Sequence, residues 1–167
     1  ARLLKQWWNF GFKDQIPLLS SQNVTDQSVI RHLEAEECEG IMSSSHFAEG
    51  LDNEKTRAFV ESYQAAYKLL PGIFAAEGFT GGLWLAHALD KIQGDAQNKD
   101  ALVKTLIAEK VAGSPLGETL SLDSYGNPIF DVYVRKVVKR PDGTLVNEVV
   151  ETYPQVSQFW TYDPEEF

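Results

Sequence analysis

Hydrophobic positions along this chain change period twice, and each change marks a new kind of element. Between Gly72 and Asp90, small or apolar residues at Phe74, Gly78, Gly81, Leu85 and Leu89 fall on one face of a 3.6-residue helix. Pro71 stands just ahead, where a fixed φ and a missing N–H suit a helix start. Gly78, Gly81 and Gly82 interrupt that helix at about 1 kcal/mol each relative to alanine. Such glycines call for close packing against them, either by a sheet under a buried helix or by a ligand. The ligand reading puts a site at the first turn, with Phe74 and Glu77 offered to it.

Helical spacing recurs at four other places. It predicts a helix over Leu3–Phe12, with Trp7 and Trp8 near one face and Gly11 as stop. A second runs from a cap at Thr25 or Asp26 to about Glu34. A third runs from a cap at Asp52 or Asn53 to about Leu70, with Phe59, Val60, Tyr63, Ala66 and Tyr67 inward. The last covers Lys99–Ala112.

Short apolar runs punctuate the first half. Ile16–Leu19 suits a buried strand of a parallel sheet, and Gly40–Phe47 reads as the next strand. Both end in polar segments, Ser20-Ser21-Gln22-Asn23 and Ser43-Ser44-Ser45-His46. Ligands of open α/β sheets sit off the carboxyl ends of strands, so these tips point to a site. From Gly117 the period drops to two. Strands are predicted at Thr119–Leu122, Phe130–Val138 and Leu145–Tyr153, separated by turns at Asp123–Pro128 and Pro141–Gly143. In the long middle strand, Phe130, Val132 and Val134 oppose Asp131, Tyr133 and Arg135, and an extended arm follows from Pro154.

Composition narrows the classes. A chain of 167 residues, 43% hydrophobic and 23% charged, can bury one sizeable core or two small ones. No apolar run is long enough to span a membrane as a helix. A net charge of −9 argues against a nucleic-acid surface. Cys38 alone cannot form an internal disulfide, and Glu36, Glu37 and Glu39 around it disfavour a thiolate. No signal peptide is visible, and the chain enters an amphipathic helix at once, as if cut from something longer.

Catalytic patterns do not assemble. His32, His46 and His87 lack ligand-spaced partners, so neither a metal nor a cofactor is expected. Gly78–Gly82 lacks the ending of a phosphate loop, and Ser43-Ser44-Ser45-His46 lacks the glycines of a nucleophile elbow. Glu77 could serve as a general acid or base, with no second carboxylate to pair with it.

Three stretches match a known family in order and spacing. They are Leu51–Lys55 with Ala58-Phe59-Val60 and Tyr63; Phe74–Phe79 with Ala86 and Ala88-Leu89; and Ser114–Gly117, Asp123, Gly126–Pro128, Asp131–Tyr133, Val138, Asp142-Gly143, Val146 and Tyr153-Pro154. Together they resemble the C-terminal half of the branched-chain-amino-acid type of periplasmic substrate-binding protein, the receptor of an ABC importer. The resemblance implies an α/β fold of the type I periplasmic-binding-protein class. Its C-terminal portion contributes to both lobes, as a parallel sheet flanked by helices plus a C-terminal β-hairpin. Residues 1–48 would belong to lobe 2 and 49–128 to lobe 1, while 129–167 would cross back to lobe 2 and end in an arm. The ligand would lie between lobes, against Ser20, Ser21, Gln22, His46, Phe74 and Glu77. Phe74 matches an aromatic position that packs on ligands in similar receptors. Gln22 aligns approximately with an acidic residue that meets the ammonium of amino-acid ligands, and here a neutral amide stands in its place. An organic or aromatic acid without an amine thereby joins amino acids as an expected ligand. The implied partners are a membrane permease and the missing N-terminal half, and the implied compartment is periplasmic or extracellular, with or without a lipid anchor. The other readings are an α/β enzyme using Glu77 and a ligand-sensing regulatory domain of the same fold.

Overall fold

The computed structural model describes residues 1–117 and 119–166. The chain opens with helix α1 (Arg2–Asn9) and strand β1 (Leu19–Ser21), followed by three one-turn helices, α2 (Gln22–Thr25), α3 (Gln27–Ile30) and α4 (Ala35–Cys38). Strand β2 (Met42–Ser45) precedes three long helices, α5 (Glu54–Tyr67), α6 (Ile73–Lys91) and α7 (Lys99–Ala108). Strands β3 (Val111–Ala112), β4 (Thr119–Leu122), β5 (Pro128–Lys139) and β6 (Leu145–Val156) follow, with a 3-10 turn at Pro164–Glu166.

One mixed sheet runs β1-β2-β5-β4-β3, with β6 paired to β5. Only β1 and β2 run parallel among the described strands, so the expected parallel sheet is confined to that pair. The long strand β5 joins two regions. Its Pro128 and Ile129 pair with β4, whereas Tyr133–Lys136 pair with β2. Two cores form accordingly. Leu4, Ile30, Leu33, Cys38, Ile41, Val137 and Leu145 make the first, and Phe47, Phe59, Ile73, Ala76, Trp84, Leu116 and Leu120 the second.

Arg135 is fully buried where the two regions meet. Its Nε donates to Ser43 Oγ at 3.0 Å, Nη1 to the Phe47 carbonyl at 2.7 Å, and Nη2 to the Gln22 carbonyl at 3.0 Å and Thr25 Oγ1 at 3.4 Å. A buried guanidinium with this many acceptors escapes most of the cost of leaving water. Beside it lies Glu49, whose Oε1 accepts from the Gln27 amide and from Asn147 N and Nδ2. Burial raises the Glu49 pKa, against the pull of those donors and of Arg135.

Asp26 ties the same junction to α6. Its Oδ1 accepts from Ser28 N at 2.9 Å, capping α3, and its Oδ2 accepts from Ile73 N at 2.8 Å, capping α6. Gly72 is required there, because a Cβ would stand 2.6 Å from both carboxylate oxygens.

Several sequence expectations shift. The first strand is Leu19–Ser21 rather than Ile16–Leu19, since Ile16 N closes a turn onto Phe12 O and Pro17 has no N–H for a ladder. Asp26 caps the second helix as expected, but that helix ends at Ile30 instead of reaching Glu34. The fourth helix stops at Ala108, and Val111–Ala112 pair with β4 instead. Strand β6 continues past Pro154, where an arm was expected.

The α6 face is reversed. On α6 the buried side is Ile73, Ala76, Thr80, Trp84 and Ala88, whereas Phe74 and Leu85 are exposed. A Cβ on Gly78, Gly81 or Gly82 would meet nothing within 4 Å, so no backbone packs there. On β5 the deeply buried side is Tyr133, Arg135 and Val137, the face that carries the charged residue. Cys38 is buried, and burial, more than its acidic neighbours, pushes its thiol to about 11.

Replacing Gly72 by alanine is expected to lower stability by about 1–3 kcal/mol, as the new methyl displaces a carboxylate that caps two helices. Urea unfolding midpoints measure this, and an unchanged midpoint contradicts the shared cap.

Candidate functional site

Two pockets meet at His46. The first, about 310 Å³, lies beyond the carboxyl ends of β1 and β2 and is lined by Ser21, Gln22, Asn23, Ser44, Ser45, His46 and Val132. Parallel pairing of Ser21 with Ser44 brings the two polar tips side by side. Strand alternation turns Ser43 inward to Arg135 and Ser44 outward to the pocket. Ser45 is buried, accepts from Phe47 N at 3.2 Å and donates to Gln22 Oε1 at 3.1 Å.

The second pocket, about 420 Å³, is apolar. Trp84, Leu116, Leu120, Leu122, Pro128 and Phe130 line it, with His46, Glu77, Thr80 and Gly81 at its polar side. His46 Nε2 and Glu77 Oε1 lie 2.9 Å apart, and the imidazole stacks on Phe130 with ring centroids 4.4 Å apart. Burial lowers the His46 pKa and Arg135 adds to that, whereas Glu77 opposes them. The pair links the end of β2 to the second turn of α6, and so spans the two cores.

The predicted residues therefore divide. Ser21, Gln22 and His46 share the polar pocket, and His46 and Glu77 share the apolar one. Ser20 lies off both, its hydroxyl donating to the Met42 carbonyl at 3.3 Å. Phe74, 65% exposed on the first turn of α6, lines neither. Sequence reasoning left His46 without a partner and did not foresee Phe130 or Arg135. The local signal for Arg135 was a charge within a strand rich in valine. Among the described residues no cluster of three or more metal-ligating side chains occurs. A separate groove of about 530 Å³ between α5 and α6, lined by Phe59, Tyr63, Tyr67 and Phe79 with Lys55, holds none of the predicted residues.

A polar pocket lined by hydroxyls and amides, with an apolar pocket beside it, can hold a small molecule with one polar end and one apolar end. A mixed sheet flanked by helices, with polar strand tips opening where two cores meet, defines an α/β solute-binding fold. The chain belongs to the periplasmic binding protein family, whose sequence profile matches residues 1–143. Among solved structures, an ABC transporter substrate-binding protein from Sphaerobacter thermophilus is 31% identical. That match covers 92% of this chain and 41% of that one, with a TM-score of 0.85. A solute-binding protein from R. palustris, solved in complex with benzoate, is 27% identical over 94% of this chain and 41% of that one, with a TM-score of 0.75. A third, from Rhodopseudomonas palustris BisB5 in complex with 3,4-dihydroxy benzoic acid, is 24% identical over 99% of this chain and 44% of its own, with a TM-score of 0.85. The chain thus spans less than half the length of these structures. No curated protein matches it. The expected fold class stands, as the C-terminal portion of such a receptor, and family membership implies a periplasmic setting. No helix among the described residues is long and apolar enough to cross a membrane.

The lowered His46 pKa sets a pH dependence. Below its ordinary value of 6.5 the unfolded chain binds a proton that the folded one resists, so this group subtracts stability as pH falls through that value. His46→Gln is expected to flatten that fall, read as urea midpoints between about pH 5 and 8. An identical slope in the variant contradicts the assignment.

Proposed function

We propose that the chain forms one wall and the crossing segments of a solute receptor that closes on a small carboxylate and delivers it to an ABC permease. The observation that carries this reading is the meeting of a polar and an apolar pocket at His46, at the junction of two cores. In this reading residues 1–48 belong to one lobe, 49–128 to the other, and 129–167 cross back and end in an arm. Residues preceding Ala1 in the intact receptor supply the facing wall. The benzoate held by the R. palustris relative supports an aromatic or other organic acid as ligand.

Each predicted residue then has a role. Ser21 and Gln22 bind the polar end, while His46 and Glu77 border the ring. Ser20 holds β1 against β2 by its bond to Met42. Phe74, exposed here, covers the ligand when the lobes close. We read His46–Glu77 as a binding element with no catalytic part, in keeping with the transport binding proteins that the chain resembles. Delivery takes place in the periplasm, with the receptor free or lipid-anchored.

Calorimetric titration of the intact receptor with benzoate is expected to show saturable one-to-one binding. Phe74→Ala should weaken it about tenfold, the order expected for a lost aromatic contact. A receptor that takes up neither benzoate nor any other small carboxylate overturns the reading.

A further inference from the structure

Hydrogen bonds around Gln22 run in one direction. Phe47 N–H donates to Ser45 Oγ, and Ser45 Oγ donates to Gln22 Oε1. Ser45 is 4% exposed, so its single proton has little access to water. Were the Gln22 amide rotated by half a turn, its NH₂ would face Ser45. The hydroxyl would then accept twice, and its own proton would be buried without a partner. The relay therefore occupies the amide oxygen and leaves the Nε2 protons facing the pocket. Among the described residues nothing accepts from them.

The surroundings have the same polarity. None of the seven residues lining the pocket is a carboxylate. Glu77, which lines the neighbouring pocket, is taken by His46. Beneath the floor, Arg135 Nη2 donates to the main-chain oxygen of Gln22 itself, so a buried cation stands one residue deep. Asp26 and Glu49 are the acids that act on that cation, and both are buried away from the pocket, held by Ile73, Ser28, Gln27 and Asn147. A ligand ammonium, which can only donate, meets amide donors and no carboxylate among the lining residues. Ser21, Asn23 and Ser44 can accept a hydrogen bond from it but supply no charge. A carboxylate meets donors.

We propose that this pocket selects carboxylates that carry no ammonium group, with Gln22 Nε2 as the donor that reads the ligand oxygen. Aromatic, hydroxy and keto acids then bind, and amino acids of the same skeleton are rejected. The proposal rests on the receptor reading above and sharpens it. It also gives Ser45 a positioning role, because it acts on the ligand solely by fixing the Gln22 amide.

Two matched pairs separate the possibilities: 3-phenylpropanoate against phenylalanine, and 4-methylpentanoate against leucine, titrated calorimetrically into the full chain alongside benzoate. In each pair the amine-free acid is expected to bind at least about tenfold more tightly. Gln22→Glu should weaken the acids and shrink or reverse the ratio, whereas Gln22→Leu should weaken the acids without admitting the amino acids. Ser45→Ala should narrow the ratio by freeing the amide to rotate, and circular dichroism checks that each variant is folded. Tighter binding of the amino acids, or a ratio untouched by Gln22→Glu while benzoate still binds, overturns the proposal and leaves the receptor reading intact. Silence with all five compounds overturns both.

Discussion

The arrangement depends on one buried cation. Arg135 stands between Val134 and Lys136, on the same buried face as Tyr133 and Val137, and it is the side chain around which the junction is built. Its guanidinium reaches β2 through Ser43, the chain beyond β2 through the Phe47 carbonyl, and α2 through Gln22 and Thr25. Each acceptor belongs to a segment that must be in place for the charge to be tolerated. Replacing the guanidinium by an apolar group of similar size would spare its desolvation but would take the side-chain donor from the Phe47 and Gln22 carbonyls. Thr25 Oγ1 and Ser43 Oγ, 2.6 Å apart, and the Gln27–Glu49–Asn147 cluster continue the same polar interior. Asn147 Oδ1 is left without a partner among the described residues.

From that junction the site follows by geometry. Strand pairing aligns Ser21 with Ser44, and the inward turn of Ser43 forces Ser44 outward. The chain then leaves β2 at His46 and passes straight to the second core, where Glu77 and Phe130 receive the imidazole. Asp26 performs the equivalent task on the opposite side, joining the start of α3 to the start of α6. Directional bonds from His46, Asp26 and Arg135 thus link regions whose apolar cores are separate. A junction made of a few directional bonds can move as a hinge more readily than one made of a broad apolar interface.

Much of the fold could be read in the residues, for local reasons. Asn53 caps α5 by accepting from Thr56 N at 2.8 Å, and Asp123 builds the turn before β5 by accepting from Tyr125 N and Asn127 N. The hairpin of β5 and β6 follows the period of two and the Pro141–Gly143 turn. Family resemblance carried the overall class. Where reading failed, a non-local interaction decided the matter. Asp26 reads as an ordinary cap from its neighbours, but its second oxygen answers to Ile73, 47 residues away. The α6 face was misjudged because glycine counts as small on a helical wheel whether it is packed or bare. The burial of Arg135 was not foreseen, since nothing adjacent in sequence announces that its acceptors lie 88 to 113 residues upstream. Gln22, Ser21 and His46 were legible from polar strand tips, whereas Glu77 found its partner only in three dimensions.

Taken together, a charge buried at a crossing fixes two strand ends, and those ends expose an amide as a donor rather than an acceptor. A crystal structure of the intact receptor with benzoate tests this most directly. The account predicts the carboxylate within hydrogen-bond distance of Gln22 Nε2, with Ser45 Oγ still on Oε1 and the ring toward Phe130. A benzoate lodged in the α5–α6 groove, or an amide turned with its oxygen to the ligand, would contradict it.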